Sequence, residues 1–184
     1  MTYRTEARPK RKLSVALGLA TAAALIALPS TAIAGNGGID TTGSDAPTGG
    51  KAKLVDGFAV APANAPRKVV RAIKAANEIV KGKPYCLGGG HARRRSQCYD
   101  CSGTVSYALT GAGLLDASMP SGDFMRWEER GKGDWITTYA NEGHIYAVIA
   151  GLRLDTSMTV GQGPGWSEQM RSARGYVKRH PAGF

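Results

Sequence analysis

Three cysteines, three histidines and one well-spaced aspartate are the side chains of this sequence whose types could carry covalent chemistry. Two of the cysteines stand in "CYDCSG", as Cys98 and Cys101, and the third is Cys86. A C-x-x-C pair carries dithiol redox chemistry when it follows a strand and its first cysteine opens a helix. Here a Gly/Arg-rich loop precedes Cys98 and the helical pattern begins only after Cys101, so that context is missing. Cys86 and Cys98 flank the loop and could close it as a disulfide, which would leave Cys101 as an unpaired thiol. At a helix N-terminus a thiolate is stabilised by unsatisfied backbone N–H groups and the positive end of the dipole. The small Ser102 and Gly103 leave room beside it for a substrate carbonyl, with a backbone N–H at hand for the oxyanion.

A nucleophilic cysteine needs a base, and the choice lies among His91, His144 and His180. His91 falls in the Gly/Arg loop and His180 in the terminal "KRHPAGF", whereas His144 opens the strand-like "HIYAVIA" directly after Gly143. The base in turn needs a partner for its second ring nitrogen. If "HIYAVIAGLRLDTS" is a hairpin turning at Ala150-Gly151, Tyr146 lies opposite Asp155 and His144 opposite Ser157. His144 and Asp155 are then diagonal neighbours on one face, about 7–8 Å apart at the backbone and within side-chain reach. A one-residue slip would carry Asp155 to the other face.

The elements that must position these groups follow from periodicity. After Pro66, Val69, Ile73, Ala76 and Val80 recur at helical spacing until Gly82 and Pro84 stop the run. The polar, glycine-rich "PYCLGGGHARRRSQCYD" reads as a loop. In "SGTVSYALTGAGLL" a second helix shows an apolar stripe of Val105, Ala108, Leu109 and Ala112, closed by Gly111 and Gly113. Beyond it, "DWITTYA", "HIYAVIA", "LRLDT" and "GYVKRH" are β-branched and aromatic runs between Gly, Asn and Pro. Helices first and strands after predict an α+β domain with an antiparallel sheet.

The N-terminus reads as an export signal. Arg4, Arg8, Lys10, Arg11 and Lys12 precede an uncharged run to Leu28, and small Ala32 and Ala34 stand where a signal peptidase cuts. The uncharged run is about sixteen residues, short of the roughly twenty a spanning helix needs, so no stable membrane anchor is expected. Residues 1–34 are thus a signal peptide, 35–65 a Gly/Pro/Thr-rich flexible linker in which only "LVDGFAV" could dock, and 66–184 the folded domain. The net charge of +10 remains positive without the leader. Outside the cytoplasm this favours anionic wall polymers over nucleic acid as partners, although a solvated surface needs no partner. The same holds for the basic run Arg93 to Arg95, and Trp127, Trp135 and Trp166 read either as the lining of a sugar- or peptide-binding groove or, for at least two of them, as packing residues. No pair of Cys or His other than Cys98 and Cys101 has metal-ligand spacing.

With these residues placed, "PYCLGGG", "YDCSGTVSYAL", "GDW" and "GHIYAVIAG" resemble the successive blocks of the NlpC-type cell-wall peptidases. The resemblance covers about 67–156. It implies a papain-like α+β fold, with N-terminal helices packed on a small antiparallel sheet. It also implies that Cys101 is the nucleophile, His144 the base, and the third polar residue comes from the strand after that of His144. Tyr85, Asp100 and Ser102 would line the substrate site. The implied activity is hydrolysis of D-Glu-to-diamino-acid or related links in peptidoglycan stem peptides, without metal or organic cofactor. Two departures stand out: the third position is usually His, Asn or Gln where this chain offers Asp155, and the family pattern does not account for the tail 161–184. An amidase or acyltransferase on the same site, or a non-catalytic wall-binding protein with Cys101 oxidised, are the competing readings.

Overall fold

The computed structural model describes residues 50–92, 95–158 and 163–184. The expected leader, its cleavage point, the segment 35–49, Arg93 and Arg94 lie outside these residues. Among the described residues no helix is long and apolar enough to cross a membrane.

The folded part reaches back to residue 50, so a domain start at Pro66 is too late and 50–65 is not a flexible linker. Within it, β1 (Lys53–Val55) and β2 (Phe58–Val60) form an antiparallel hairpin. Its turn residues Asp56 and Gly57 both have positive φ, at 51° and 82°, the Asp-Gly conformation that matches strand twist. Ala52 and Ala59 are buried in the main core, and the Asn77 amide grips the backbone N–H and carbonyl of Ala59 at 3.1 and 2.9 Å. The composition of this stretch conceals the docking because its two buried contacts are alanines rather than large apolar residues.

Helix α1 (Arg67–Asn77) starts after Pro66 and buries Val69, Ala72, Ile73, Ala75 and Ala76. Ile79 and Val80 are buried as well, but in the turns that follow, so the helix is shorter than its apolar period. Helix α2 (Cys101–Ala112) ends at Gly113 in the left-handed region, φ 66°. It is not the one-striped helix its sequence predicts: Ser102 through Leu109 and Ala112 are all buried, as in a helix enclosed on every side. Close approach to α1 explains the small residues, because a Cβ on Gly111 would strike that of Ala75.

After the short α3 (Ser121–Phe124) come β3 (Glu129–Arg130), β4 (Ile136–Ala140), β5 (Ile145–Ile149), β6 (Leu152–Asp155), β7 (Gly165–Ser167) and β8 (Val177–His180). They form one antiparallel sheet in the order β3-β8-β4-β5-β6-β7. The fold is α+β, as the element order predicts. Alternation divides each central strand. Ile145, Ala147, Ile149, Leu152 and Leu154 face the core with Val69, Ile73, Val105 and Leu109 of the helices. Tyr139, Tyr146, Arg153 and Asp155 point to the opposite face. The segment 168–176 links edge strand β7 to β8 and crosses that opposite face, laying Arg171 over the Tyr146 ring at 5.5 Å and Tyr176 against it at 5.2 Å.

Candidate active site

Cys101 is the first residue of α2 and stands half-buried at its N-terminus. Asp100 caps that helix, accepting from the Gly103 N–H at 2.7 Å and from Ser102 Oγ at 3.1 Å. The same carboxylate holds the preceding loop by accepting from the Gly88 N–H at 3.0 Å. Behind it, His91 Nε2 lies 3.1 Å from both Asp100 Oδ1 and Ser102 Oγ, while its Nδ1 meets Ser118 Oγ at 3.0 Å. Gly103 has to be glycine here, since a Cβ would strike the Gly89 carbonyl oxygen. Cys86 and Cys98 form a disulfide across the loop, and Cys101 is a free thiol. The pairing excludes a Cys98–Cys101 dithiol centre.

His144 sits one residue before β5, at the end of the sheet. The β4–β5 turn fixes it from below: Asn141 Oδ1 accepts from the His144 and Gly143 N–H groups at 2.8 and 3.0 Å. The β5–β6 register pairs Ala147 with Leu154 and Ile149 with Leu152, the register that a two-residue turn at Ala150-Gly151 predicts. Both turn residues take positive φ, 46° and 76°, so Ala150 adopts a conformation that usually falls to Asn or Gly. The result brings His144 Nε2 to 3.0 Å from Asp155 Oδ1. Cys101 is near enough to the ring to favour its charged form.

Asp155 is 1% exposed, and its charge is compensated from several directions. Besides His144 it accepts from the Ser157 N–H and Oγ at 3.0 Å and from Arg171 at 3.2 Å. Arg153 Nε lies 3.6 Å away, itself without a hydrogen-bond partner among the described residues. Burial pushes the Asp155 pKa up, but the hydrogen bonds from His144 and Ser157 and the imidazolium charge outweigh it and hold the carboxyl down at about 2. Burial likewise opposes charge on His144, and hydrogen bonds and charge from Asp155 and Cys101 overcome it, raising His144 to about 9. The imidazole therefore carries its proton at neutral pH. A cysteine at a helix N-terminus, an imidazole and a buried carboxylate can together carry acyl transfer.

The remaining expected site residues divide. Tyr85 is 40% exposed, and its hydroxyl pKa is raised by burial and by the charges of Cys101 and Asp100. Asp100 and Ser102 are buried at 6% each, and their oxygens are engaged with one another, the helix cap and His91. They position Cys101. Sequence reasoning missed two participants. His91 falls in a loop without periodicity, and its partner Ser118 is 27 residues away. Arg171 sits in the tail, 16 residues beyond Asp155, where no local pattern signals contact. Trp127 and Trp135 pack against the core, and buried Trp166 donates to Asn77 Oδ1 at 2.8 Å. Arg95 is largely exposed.

No family model matches the chain, and no curated protein matches it. Among solved structures it is similar to two mutated forms of the resuscitation promoting factor interacting protein RipA. For one the identity is 20% over 62% of this chain and 65% of that chain, with a TM-score of 0.48. For the other it is 21% over 66% and 68%, with a TM-score of 0.46. A hypothetical invasion protein of Mycobacterium tuberculosis is similar at 21% identity over 62% of this chain and 65% of its own, TM-score 0.46. The chain thus spans 65% to 68% of the length of these structures.

Proposed function

We propose that this protein is an exported cysteine peptidase that hydrolyses amide bonds in peptidoglycan stem peptides, of the D,L-endopeptidase type, with Cys101, His144 and Asp155 as its catalytic residues. The observation that carries the reading is the free Cys101 at the start of a buried, capped helix, close to an imidazole that a buried carboxylate holds through Nε2. The substrate class rests on the resemblance of "YDCSGTVSYAL" and "GHIYAVIAG" to the cell-wall peptidases, and the cell envelope or exterior on the leader-like 1–34. The helix on sheet, meeting at a Cys/His pair, is the papain-like arrangement that the resemblance implies.

In the proposed reaction Cys101 Sγ, its proton taken by His144, forms a bond to the amide carbonyl carbon. The electron pair of the carbonyl moves to its oxygen, which a nearby backbone N–H stabilises. Collapse breaks the C–N bond as the imidazolium gives its proton to the leaving amine. Water then adds to the thioester with His144 as base, and the thiolate departs. Asp155 keeps the ring oriented throughout, and Tyr85 contacts the substrate from the open side. The steps need no metal or organic cofactor.

The test is mass spectrometry of soluble muropeptides incubated with the protein under reducing conditions, alongside Cys101→Ser and Cys98→Ser. A stem-peptide cut lost only in Cys101→Ser is the expected outcome. Release of the whole peptide from its sugar would instead mark an amidase on the same site. A cut that persists in Cys101→Ser, or no cut with any substrate, overturns the assignment of the nucleophile or of the activity.

A further inference from the structure

We propose that the protein has a second binding site, for a small ligand bearing a phosphate or carboxylate, in the cavity between the strap 168–176 and the outer face of the sheet. The cavity has a volume of about 440 Å³, within the range that holds small molecules. Lys51, Lys132, Arg171 and Lys178 line it, against the single acid Glu168. Arg171 is already paired with Asp155, so Lys51 and Lys178 give the concavity its excess of positive charge over Glu168, which concentrates anions there, and the low-dielectric wall strengthens the field.

The floor is rigid. Tyr139 and Tyr146 stack at 4.7 Å with an interplanar angle of 5°, on β4 and β5, and Val148 lies beyond them on the same face. Lys178 is paired with Tyr139 in the sheet register, so one of the cations is fixed by a strand rather than by a loop. Met170, 46% exposed, stands on the opposite wall and offers an apolar contact. The chemistry this selects is an anionic group among the lysines, attached to a small body that rests on tyrosine and methionine.

The site lies apart from Cys101, His144 and Tyr85, none of which lines it. It meets the candidate active site through one residue. Arg171 reaches the cavity and also donates to Asp155 Oδ2 at 3.2 Å and Ser157 Oγ at 2.8 Å, with its guanidinium 5.4 Å from the Tyr176 ring. An anion in the cavity competes with Asp155 for this guanidinium.

The proposal does not rest on the peptidase reading, so the experiment uses the Cys101→Ser form, which removes the proposed nucleophile. Calorimetric titration with tripolyphosphate in one arm and a diglutamate peptide in the other distinguishes phosphate from carboxylate ligands. The expected result is saturable one-to-one binding in at least one arm, weakened at least about tenfold in Lys51→Gln/Lys178→Gln. Lys51→Arg/Lys178→Arg, which keeps both charges, should bind like the parent and control for folding. Amide NMR shifts are expected at Tyr139, Val148 and Ala173. Absence of saturable binding in both arms, equal affinity in the glutamine variant, or shifts centred on Tyr85 and His144 would each overturn the proposal.

Discussion

The cysteine end and the histidine end of the candidate site are held in different ways. At the cysteine end the contacts are local: Asp100 caps Gly103 three residues on, accepts from Ser102 two residues on, and sits beside a disulfide spanning a separation of 12. At the histidine end His144 meets Asp155 at a separation of 11 only through the β5–β6 register, and Asp155 meets Arg171 a further 16 residues on only through the strap. Apart from the contact of His91 with Ser118, the first end is assembled by its own stretch of chain. The second exists only when the sheet and the crossing segment are both in place, so perturbations at a distance should reach His144 and leave Cys101 undisturbed.

The largest effects ignore this difference, because the proposed reaction needs both ends at once. Cys101→Ala and His144→Ala should each lower kcat/KM by about 10⁴-fold or more, and the double variant should be little worse than either alone. Single-turnover assays on stem peptides with matched melting curves would check this. Additive losses would mean that the two side chains act independently, contrary to a shared acyl-transfer step.

Asp155→Asn separates the ends. The orienting group is lost while the helix cap is untouched, and activity should fall on the order of 10²-fold. The pH profile carries the sign. His144 is held up at about 9 by Asp155 and Cys101, so activity of the natural protein should fall as pH rises through that value. Removing the carboxylate charge moves this alkaline limb down by about one pH unit or more. Stability follows the same linkage. The raised histidine stabilises fully below 6.5 and loses this as pH rises through about 9. The depressed Asp155 stabilises fully above 3.8 and loses it as pH falls through about 2. The melting-temperature gap between natural protein and Asp155→Asn should therefore be widest between pH 3.8 and 6.5. An unmoved alkaline limb would remove Asp155 from its orienting role.

Arg171→Met perturbs the histidine end from the strap and should cost less, about tenfold. Its cation offsets the Asp155 charge as well as holding the carboxylate. The variant should therefore shift the alkaline limb upward, opposite to Asp155→Asn, since the unbalanced carboxylate favours the imidazolium more. Arg171→Lys should leave the limb in place. A loss of activity in Arg171→Met with no movement of the limb would reduce Arg171 to a packing residue.

The contrast between local and long-range support also decides what the sequence makes legible. Cys101 at a helix start is readable because the cap, the small residues and the apolar period all lie within a dozen positions. The His144–Asp155 pair is readable because a two-residue turn fixes a register of period two, even though Ala150 is a poor residue for that turn. Arg171 and the His91–Ser118 contact are invisible because no local period encodes a strap crossing a sheet or two loops meeting. The hairpin over 53–60 carried a usable signal, Asp-Gly between alternating residues. Composition obscured it, because glycine and alanine marked the segment as a linker while Ala52 and Ala59 were being buried.

Replacing the disulfide should affect activity least and stability clearly. Cys86 and Cys98 close a loop of separation 12, and opening such a loop costs about 3 kcal/mol by the chain-entropy account. The loop is also pinned without sulfur: Asp100 N–H donates to the Gly89 carbonyl, Tyr99 N–H to the Pro84 carbonyl, and Gly88 N–H to the Asp100 carboxylate, all at 3.0 to 3.1 Å. Cys86→Ser/Cys98→Ser should therefore melt several degrees lower yet keep kcat/KM within about threefold at a temperature where it is folded. If activity instead drops as far as in Asp155→Asn while the fold persists, the cysteine end depends on its covalent tie. The capping network around Asp100 would then be too weak to place the thiol, and the two ends of the site would differ in the kind of distant support they need rather than in needing it.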